Sequence, residues 1–207
     1  MDLVFLHGFA TTPEIWPGGG PHLHFDDFER EAERVGKGLG KRTNLVGWSM
    51  GGMVALLVAA RYPEKIGKLV LVSTTPKFIA DGAFPAGLPL ALLRRLEKRI
   101  KAEGIRAFHS LVFPDGHSTG LADLTVEQAL QELAALEKVD LRGLLPSVKA
   151  PTLIIHGAKD EICLPGAAQY MNEQIAGSEL VLMAEVGHAP LIEVPERFNE
   201  LLCWLND

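Results

Sequence analysis

Cysteine is scarce in this 207-residue chain: there are two, Cys163 and Cys203, far apart and outside any metal-ligand spacing. That excludes a disulfide-stapled scaffold and a zinc module, and it reads as reduced thiols with a single bridge left open. Long apolar runs are missing too. Leu3-Val4-Phe5-Leu6 is far too short for a bilayer span or a signal-peptide core, and no basic segment precedes it. No membrane association and a cytoplasmic location are therefore expected. Positive charge is not in excess: 20 Lys and Arg stand against 26 Asp and Glu, a formal net charge of −6. Such a balance argues against general affinity for nucleic acid or anionic lipid. Repeats and low-complexity tracts are absent, and Gly18-Gly19-Gly20 lacks the Lys-Ser/Thr of a phosphate-binding loop. What remains is 47% hydrophobic and 22% charged. That is the composition of one ordinary globular domain with room for an inserted subdomain.

Short aliphatic runs alternate with helical patterns, which predicts an α/β fold with a mostly parallel sheet. Strands are expected at Asp2–Leu6, Thr43–Trp48, Lys68–Ser73, Pro151–His156 and Glu179–Met183, with a short one at Pro21–Phe25. Helices are expected at Asp26–Gly38, Gly52–Tyr62 and Glu196–Leu205, from apolar residues at helical spacing among charges. From Pro76 to about Pro146 the strand rhythm stops. That stretch is rich in Leu, Ala, Glu and Arg, with helical candidates at Leu90–Glu103, Ile105–Val112 and Val126–Leu136. The division expected is a core from 1–75 and 146–207 with a helical cap inserted at 76–145.

Gly47-Trp48-Ser49-Met50-Gly51-Gly52 follows the Thr43–Trp48 run and opens a small-residue helical stretch. This is G-x-S-x-G in the context the motif requires: strand, sharp turn, helix. The turn holds a serine hydroxyl above the sheet, near a helix N-terminus whose free N–H groups favour a developing anion. A serine hydroxyl is a weak nucleophile and needs a base that a third group orients. His188 follows the last strand and Asp160 follows the one before it, so Ser49, Asp160 and His188 all fall in loops after strand C-termini. Their order, Ser…Asp…His, is the order of α/β-hydrolases. Glu161 stays open as an alternative acid. His7-Gly8-Phe9 follows the first strand, so the backbone N–H groups of Phe9 and Met50 are the expected oxyanion donors, with His7 bracing the loop. His156 reads as a core-edge residue, and His109 and His117 as surface or pocket lining in the cap. His22 and His24 have no partners at ligand spacing, which favours a structural role over half a metal site. No metal and no cofactor is expected.

With these motifs in place, the chain resembles an α/β-hydrolase along nearly its whole length. More narrowly it resembles the pimeloyl-[acyl-carrier-protein] methyl ester esterases of biotin synthesis. The resemblance rests on Leu6-His7-Gly8-Phe9 with Glu14-Ile15-Trp16, on Gly47-Trp48-Ser49-Met50-Gly51-Gly52, and on Val139-Asp140-Leu141-Arg142 before the return to the core. Gly157 to Asp160 and His188-Ala189-Pro190 with Pro195 complete it. It implies serine carboxylesterase activity on a small acyl ester carried on acyl carrier protein, with Phe9, Met50, Trp48 and Phe108 binding substrate. Relative to that family, the strand ending in His-Gly stands first here and the path from Trp16 to the serine strand is short. A truncated α/β-hydrolase sheet of about six strands is therefore expected, in a monomer. The basic residues Arg94, Arg95, Lys98 and Arg99, with Lys101 and Arg106 nearby, are a candidate docking face for an acidic carrier, set against the plain reading of a solvated helix face. The same triad also suits a thioesterase, lactonase, C–C bond hydrolase or haloperoxidase-like enzyme. An inert carrier-binding protein is the reading outside enzymes.

Overall fold

The computed structural model describes residues 2–206. Five strands, β1 (Leu3–Leu6), β2 (Thr43–Trp48), β3 (Ile66–Val72), β4 (Thr152–Gly157) and β5 (Glu179–Met183), form one sheet in the order β1-β2-β3-β4-β5. Every pairing is parallel. Parallel strands need long crossovers, and here helices supply them: α1 (Phe28–Gly38) between β1 and β2, and α2 (Met50–Arg61) between β2 and β3. The strands covered on both faces, β2 and β4, are buried throughout, and they are the near-continuous apolar runs of the sequence. The central helix α2 is buried from Met50 to Ala59, as befits a helix apolar on every side, and it packs across β1, β2 and β3.

The expected strand at Pro21–Phe25 does not form, and the sheet has five strands rather than about six. The segment keeps strand-like alternation, with Leu23 and Phe25 inward and His22 and His24 exposed. Its backbone donors, however, are taken by side chains. Leu23 N–H donates to His7 Nε2 (2.9 Å), His24 N–H to Glu31 (3.1 Å) and Phe25 N–H to Glu132 (3.4 Å). No ladder remains to be made. Other boundaries differ by one to three residues; α2 starts at Met50 rather than Gly52 because the turn at Ser49 passes straight into helix. The C-terminal helix is α8 (Pro195–Leu202), ending in a single 3₁₀ turn at Cys203–Asn206 and preceded by the short α7 (Pro190–Glu193). Helix α6 (Pro165–Gln174) has no counterpart among the expected elements. Its inward face is only Ala167, Ala168 and Met171, too slight an apolar stripe to stand out. Both cysteines are free, Cys163 buried and Cys203 exposed.

Between β3 and β4 lie three helices, α3 (Leu90–Glu103), α4 (Arg106–Val112) and α5 (Val126–Leu136). Thr125 starts α5 with a full capping box, its side chain taking the Gln128 N–H while the Gln128 side chain takes its own. The base of the insertion is stitched shut. Leu141 N–H donates to Pro76 O (2.7 Å), and Lys77 meets Asp140 at 3.1 Å. The Arg142 guanidinium, with Lys77 behind it, holds the Asp140 carboxyl far below the usual carboxylate range.

Glu132 of α5 is buried against the 23–25 segment. Burial raises its carboxyl from the ordinary 4.5 to about 7. Between those values the unfolded chain has released this proton and the folded chain has kept it, so stability falls as pH rises. This contribution is complete below about pH 4.5 and lost above about pH 7. Relative to wild type, Glu132→Gln is expected to gain on the order of 3 kcal/mol between about pH 4.5 and pH 8. Urea titrations at the two pH values check this; an unchanged difference contradicts it.

Candidate active site

A parallel sheet puts every strand C-terminus along one edge, and the chemistry-bearing loops gather there. Ser49 follows β2 directly, with φ 56° and ψ −124°, in the left-handed half of backbone space that costs a non-glycine residue about 1–3 kcal/mol. Four bonds hold its backbone. Its N–H donates to Val72 O (3.0 Å), its carbonyl accepts from the Gly52 and Met53 N–H groups (2.9 and 3.3 Å), and Thr74 Oγ1 donates to the same carbonyl at 2.7 Å. Gly51 lets the first turn of α2 lie against the end of β1: a Cβ there would collide with the carbonyl oxygens of Leu6 and His7.

The structure brings Ser49, His188 and Asp160 together. His188 Nε2 lies 3.0 Å from Ser49 Oγ, and His188 Nδ1 lies 2.8 Å from Asp160 Oδ2. A carboxylate can only accept, so Nδ1 carries the proton and Nε2 is free to accept from the serine hydroxyl. Asp160 Oδ1 accepts from the N–H groups of Ile162 (2.8 Å) and Cys163 (2.9 Å), which fixes the carboxylate plane. All three residues are buried, Asp160 to 2% exposure. The His188 loop reaches Asp160 because Gly157 has no side chain; a Cβ would strike the carbonyls of Val186 and Gly187. Glu161 points elsewhere, exposed and on the cavity wall. This geometry can take a proton from a serine hydroxyl and hold it during attack on a carbonyl.

The loop after β1 faces Ser49 from the other side. Among the described residues neither the Phe9 nor the Met50 N–H has a hydrogen-bond partner, so both are free to receive an oxyanion. His7 braces this loop, as the sequence suggests. Its Nδ1 meets Gly8 O at 3.0 Å and its Nε2 accepts from Leu23 N–H, which fixes a neutral tautomer; burial lowers its pKa to about 4. The insertion grips the same loop: Ala122 N–H and His109 Nε2 meet the Ala10 carbonyl at 3.0 and 2.8 Å, and Phe108 packs edge-on to Phe9 at 4.8 Å. His117 is half-buried and does not line the site, and His22 and His24 are exposed. Among the described residues no group of three or more His, Cys, Asp or Glu is arranged to hold a metal ion.

A cavity of about 710 Å³ opens at Ser49 between the core and the insertion. Phe9, Met50 and Phe108 line it, together with Met53, Phe78 and Leu133, whose facing the sequence does not reveal. Trp48 does not line it. Its ring is buried, and its indole N–H donates to the His188 carbonyl at 2.8 Å. The residue expected to touch substrate instead pins the histidine loop, because it sits at the end of β2 with its side chain directed beneath the serine. Of the basic residues on α3, Arg94 is engaged by Glu97 and Glu137 and Arg99 by Glu103. Arg95 and Lys98 have no carboxylate partner among the described residues, and Arg95 and Arg99 reach the cavity wall.

The chain belongs to the alpha/beta hydrolase family, whose profile matches residues 17–201. It is 32% identical over 220 residues to the pimeloyl-[acyl-carrier protein] methyl ester esterase of Neisseria meningitidis serogroup A, covering 96% of this chain and 70% of that one. To the enzyme of the same name from Nitrosomonas europaea it is 29% identical over 232 residues, covering 95% and 92%. An esterase from Exiguobacterium antarcticum superposes with a TM-score of 0.86 at 23% identity, over 100% of this chain and 92% of that one. Among the described residues no helix is long and apolar enough to cross a membrane.

Trp48→Phe keeps an aromatic ring there, though a smaller one, and removes the bond to the His188 carbonyl. It is expected to lower kcat roughly tenfold through a displaced imidazole, with KM changed by no more than about twofold. A large rise in KM with kcat unchanged would return Trp48 to the substrate site.

Proposed function

We propose that this chain is a serine carboxylesterase that hydrolyses the methyl ester of pimeloyl-[acyl-carrier protein]. The observation that carries the chemistry is the unbroken line from Asp160 Oδ2 through His188 to Ser49 Oγ, at 2.8 and 3.0 Å, at the floor of an apolar cavity. The relatives' names supply the substrate. Ser49 Oγ attacks the ester carbonyl as its proton passes to His188 Nε2, and the Phe9 and Met50 N–H groups receive the oxyanion. His188 returns the proton to the leaving methoxide, releasing methanol. Water, deprotonated by His188, then cleaves the acyl-enzyme to the free carboxylate and regenerates Ser49.

The cavity suits a straight acyl chain. Each buried methylene contributes about 0.8 kcal/mol, so a five-methylene chain gains roughly 4 kcal/mol before ordering costs. Residues 76–145 act as a cap that forms the roof of this chamber. Arg95 and Arg99 on the rim, with the exposed Lys98 beside them on α3, are the docking face for the acidic carrier, with Arg94 serving the internal contact to α5. Charges of this kind act mainly on encounter and register.

The test is mass spectrometry of methyl-pimeloyl carrier protein incubated with wild type and with Ser49→Ala. Loss of the methyl group with the thioester intact, in wild type only, is the expected result. Release of the whole acyl chain would make this a thioesterase, and no change would remove the pimeloyl assignment. The double reversal Arg95→Glu, Lys98→Glu is expected to lower kcat/KM on the carrier-bound ester by about tenfold or more at low salt, leaving a small soluble ester unaffected. An equal loss on both esters contradicts carrier docking at this rim.

A further inference from the structure

A second histidine stands behind the carboxylate, outside the Ser49–His188–Asp160 line. His156, in β4, is fully buried. Its Nε2 lies 2.6 Å from the Cys163 carbonyl and 3.4 Å from Asp160 Oδ2, the oxygen that holds His188. Both neighbours are acceptors, so Nε2 must carry the proton. Nδ1 is then a bare lone pair, and it has no hydrogen-bond partner. A second proton at Nδ1 would put an imidazolium in a dry pocket; burial accordingly lowers the pKa of this ring, which stays neutral. An unpartnered buried acceptor costs stability. A leucine in the same place would avoid that cost, so the ring's advantage lies on its donor edge.

That edge meets the turn at two points. The bond to Cys163 O ties the far end of the 160–163 turn back to β4, while Asp160 Oδ1 accepts from Ile162 and Cys163 N–H within the same turn. Asp160 Oδ2 itself lies 3.4 Å from Nε2, a contact of opposite polarity rather than a hydrogen bond, so the ring acts on the carboxylate mainly through the turn it ties down. We propose that His156 is a positioning residue for Asp160: its N–H ties the 160–163 turn to β4, which holds the carboxylate against His188 and thereby the proton acceptor for Ser49. It touches neither substrate nor the reacting atoms. Ile162, Cys163 and Leu164 line the cavity, so the same bond also sets one wall of the chamber. The inference rests on the serine-esterase reading above.

The experiment compares wild type, Ser49→Ala, His156→Leu and His156→Gln on a small soluble ester. Melting temperatures are taken alongside, and rates are measured where every variant is folded. Gln places an amide N–H near the position of Nε2; Leu fills the space without a donor. His156→Leu is expected to lower kcat by about tenfold to a hundredfold, the scale of a misplaced catalytic group, with KM within about twofold. His156→Gln is expected to recover most of that loss. In proton NMR, the low-field signal of the His188 Nδ1 proton should shift or broaden in His156→Leu and return in His156→Gln. The proposal is overturned if His156→Leu keeps wild-type kcat and an unaltered signal. It is equally overturned if Leu and Gln lose activity alike, in step with melting temperature, which would make the ring a packing residue. An active Ser49→Ala would instead sink the serine-esterase reading, an outcome separate from either.

Discussion

Ser49 sits at φ 56° in the turn between β2 and α2, and much of the molecule keeps it there. The cost of that conformation falls to the surrounding structure, which over-determines it. Below the serine is the end of a fully buried strand; ahead of it runs a helix buried from Met50 to Ala59. Thr74 bonds its carbonyl from the end of the neighbouring strand. Were the turn to relax, Oγ would leave the His188 imidazole and the Met50 N–H would lose its direction together with it. One local strain therefore positions both the Ser49 hydroxyl and the Met50 N–H.

Around that turn the site is assembled from separate parts of the chain that share a sheet edge. The serine follows β2, the carboxylate β4 and the histidine β5, and the all-parallel order brings these ends together. Several polar groups around the site are held by hydrogen bonds: Asp160 accepts from three N–H groups, His7 is locked in one tautomer, and Trp48 holds the His188 carbonyl. The surroundings are apolar, so fixed dipoles act there with little competition from water. Residues between β3 and β4 line much of the cavity and also grip the loop after β1 through Phe108, His109 and Ala122. The cavity and the oxyanion loop thus share one support.

Much of this was legible in the sequence, for particular reasons. Gly47-x-Ser49-x-Gly51 between a strand and a helix has one common structural meaning, and Asp160 and His188 each stand just beyond an aliphatic run that could only be a strand. The five observed strands and the three insertion helices follow from periodicity. What could not be read depended on partners distant in sequence. The 21–25 segment alternates like a strand, yet His7, Glu31 and Glu132 take its donors. Trp48 lies next to the serine in sequence, but its side chain turns beneath it. The basic face of α3 looks uniform until Glu137, far along the chain, claims Arg94. Thr74 left only a faint trace, as a polar residue just past an apolar strand.

The most direct test of the account is where an electrophile aimed at activated serines becomes attached. Wild-type protein treated with a fluorophosphonate and analysed by peptide mass spectrometry is expected to carry one label per chain, on the peptide containing Ser49. His188→Ala is expected to label far more slowly, because the proton acceptor 3.0 Å from Ser49 Oγ is gone. Labelling elsewhere, or labelling of Ser49 at the same rate without His188, would contradict the claim that this turn and its histidine form the reactive centre.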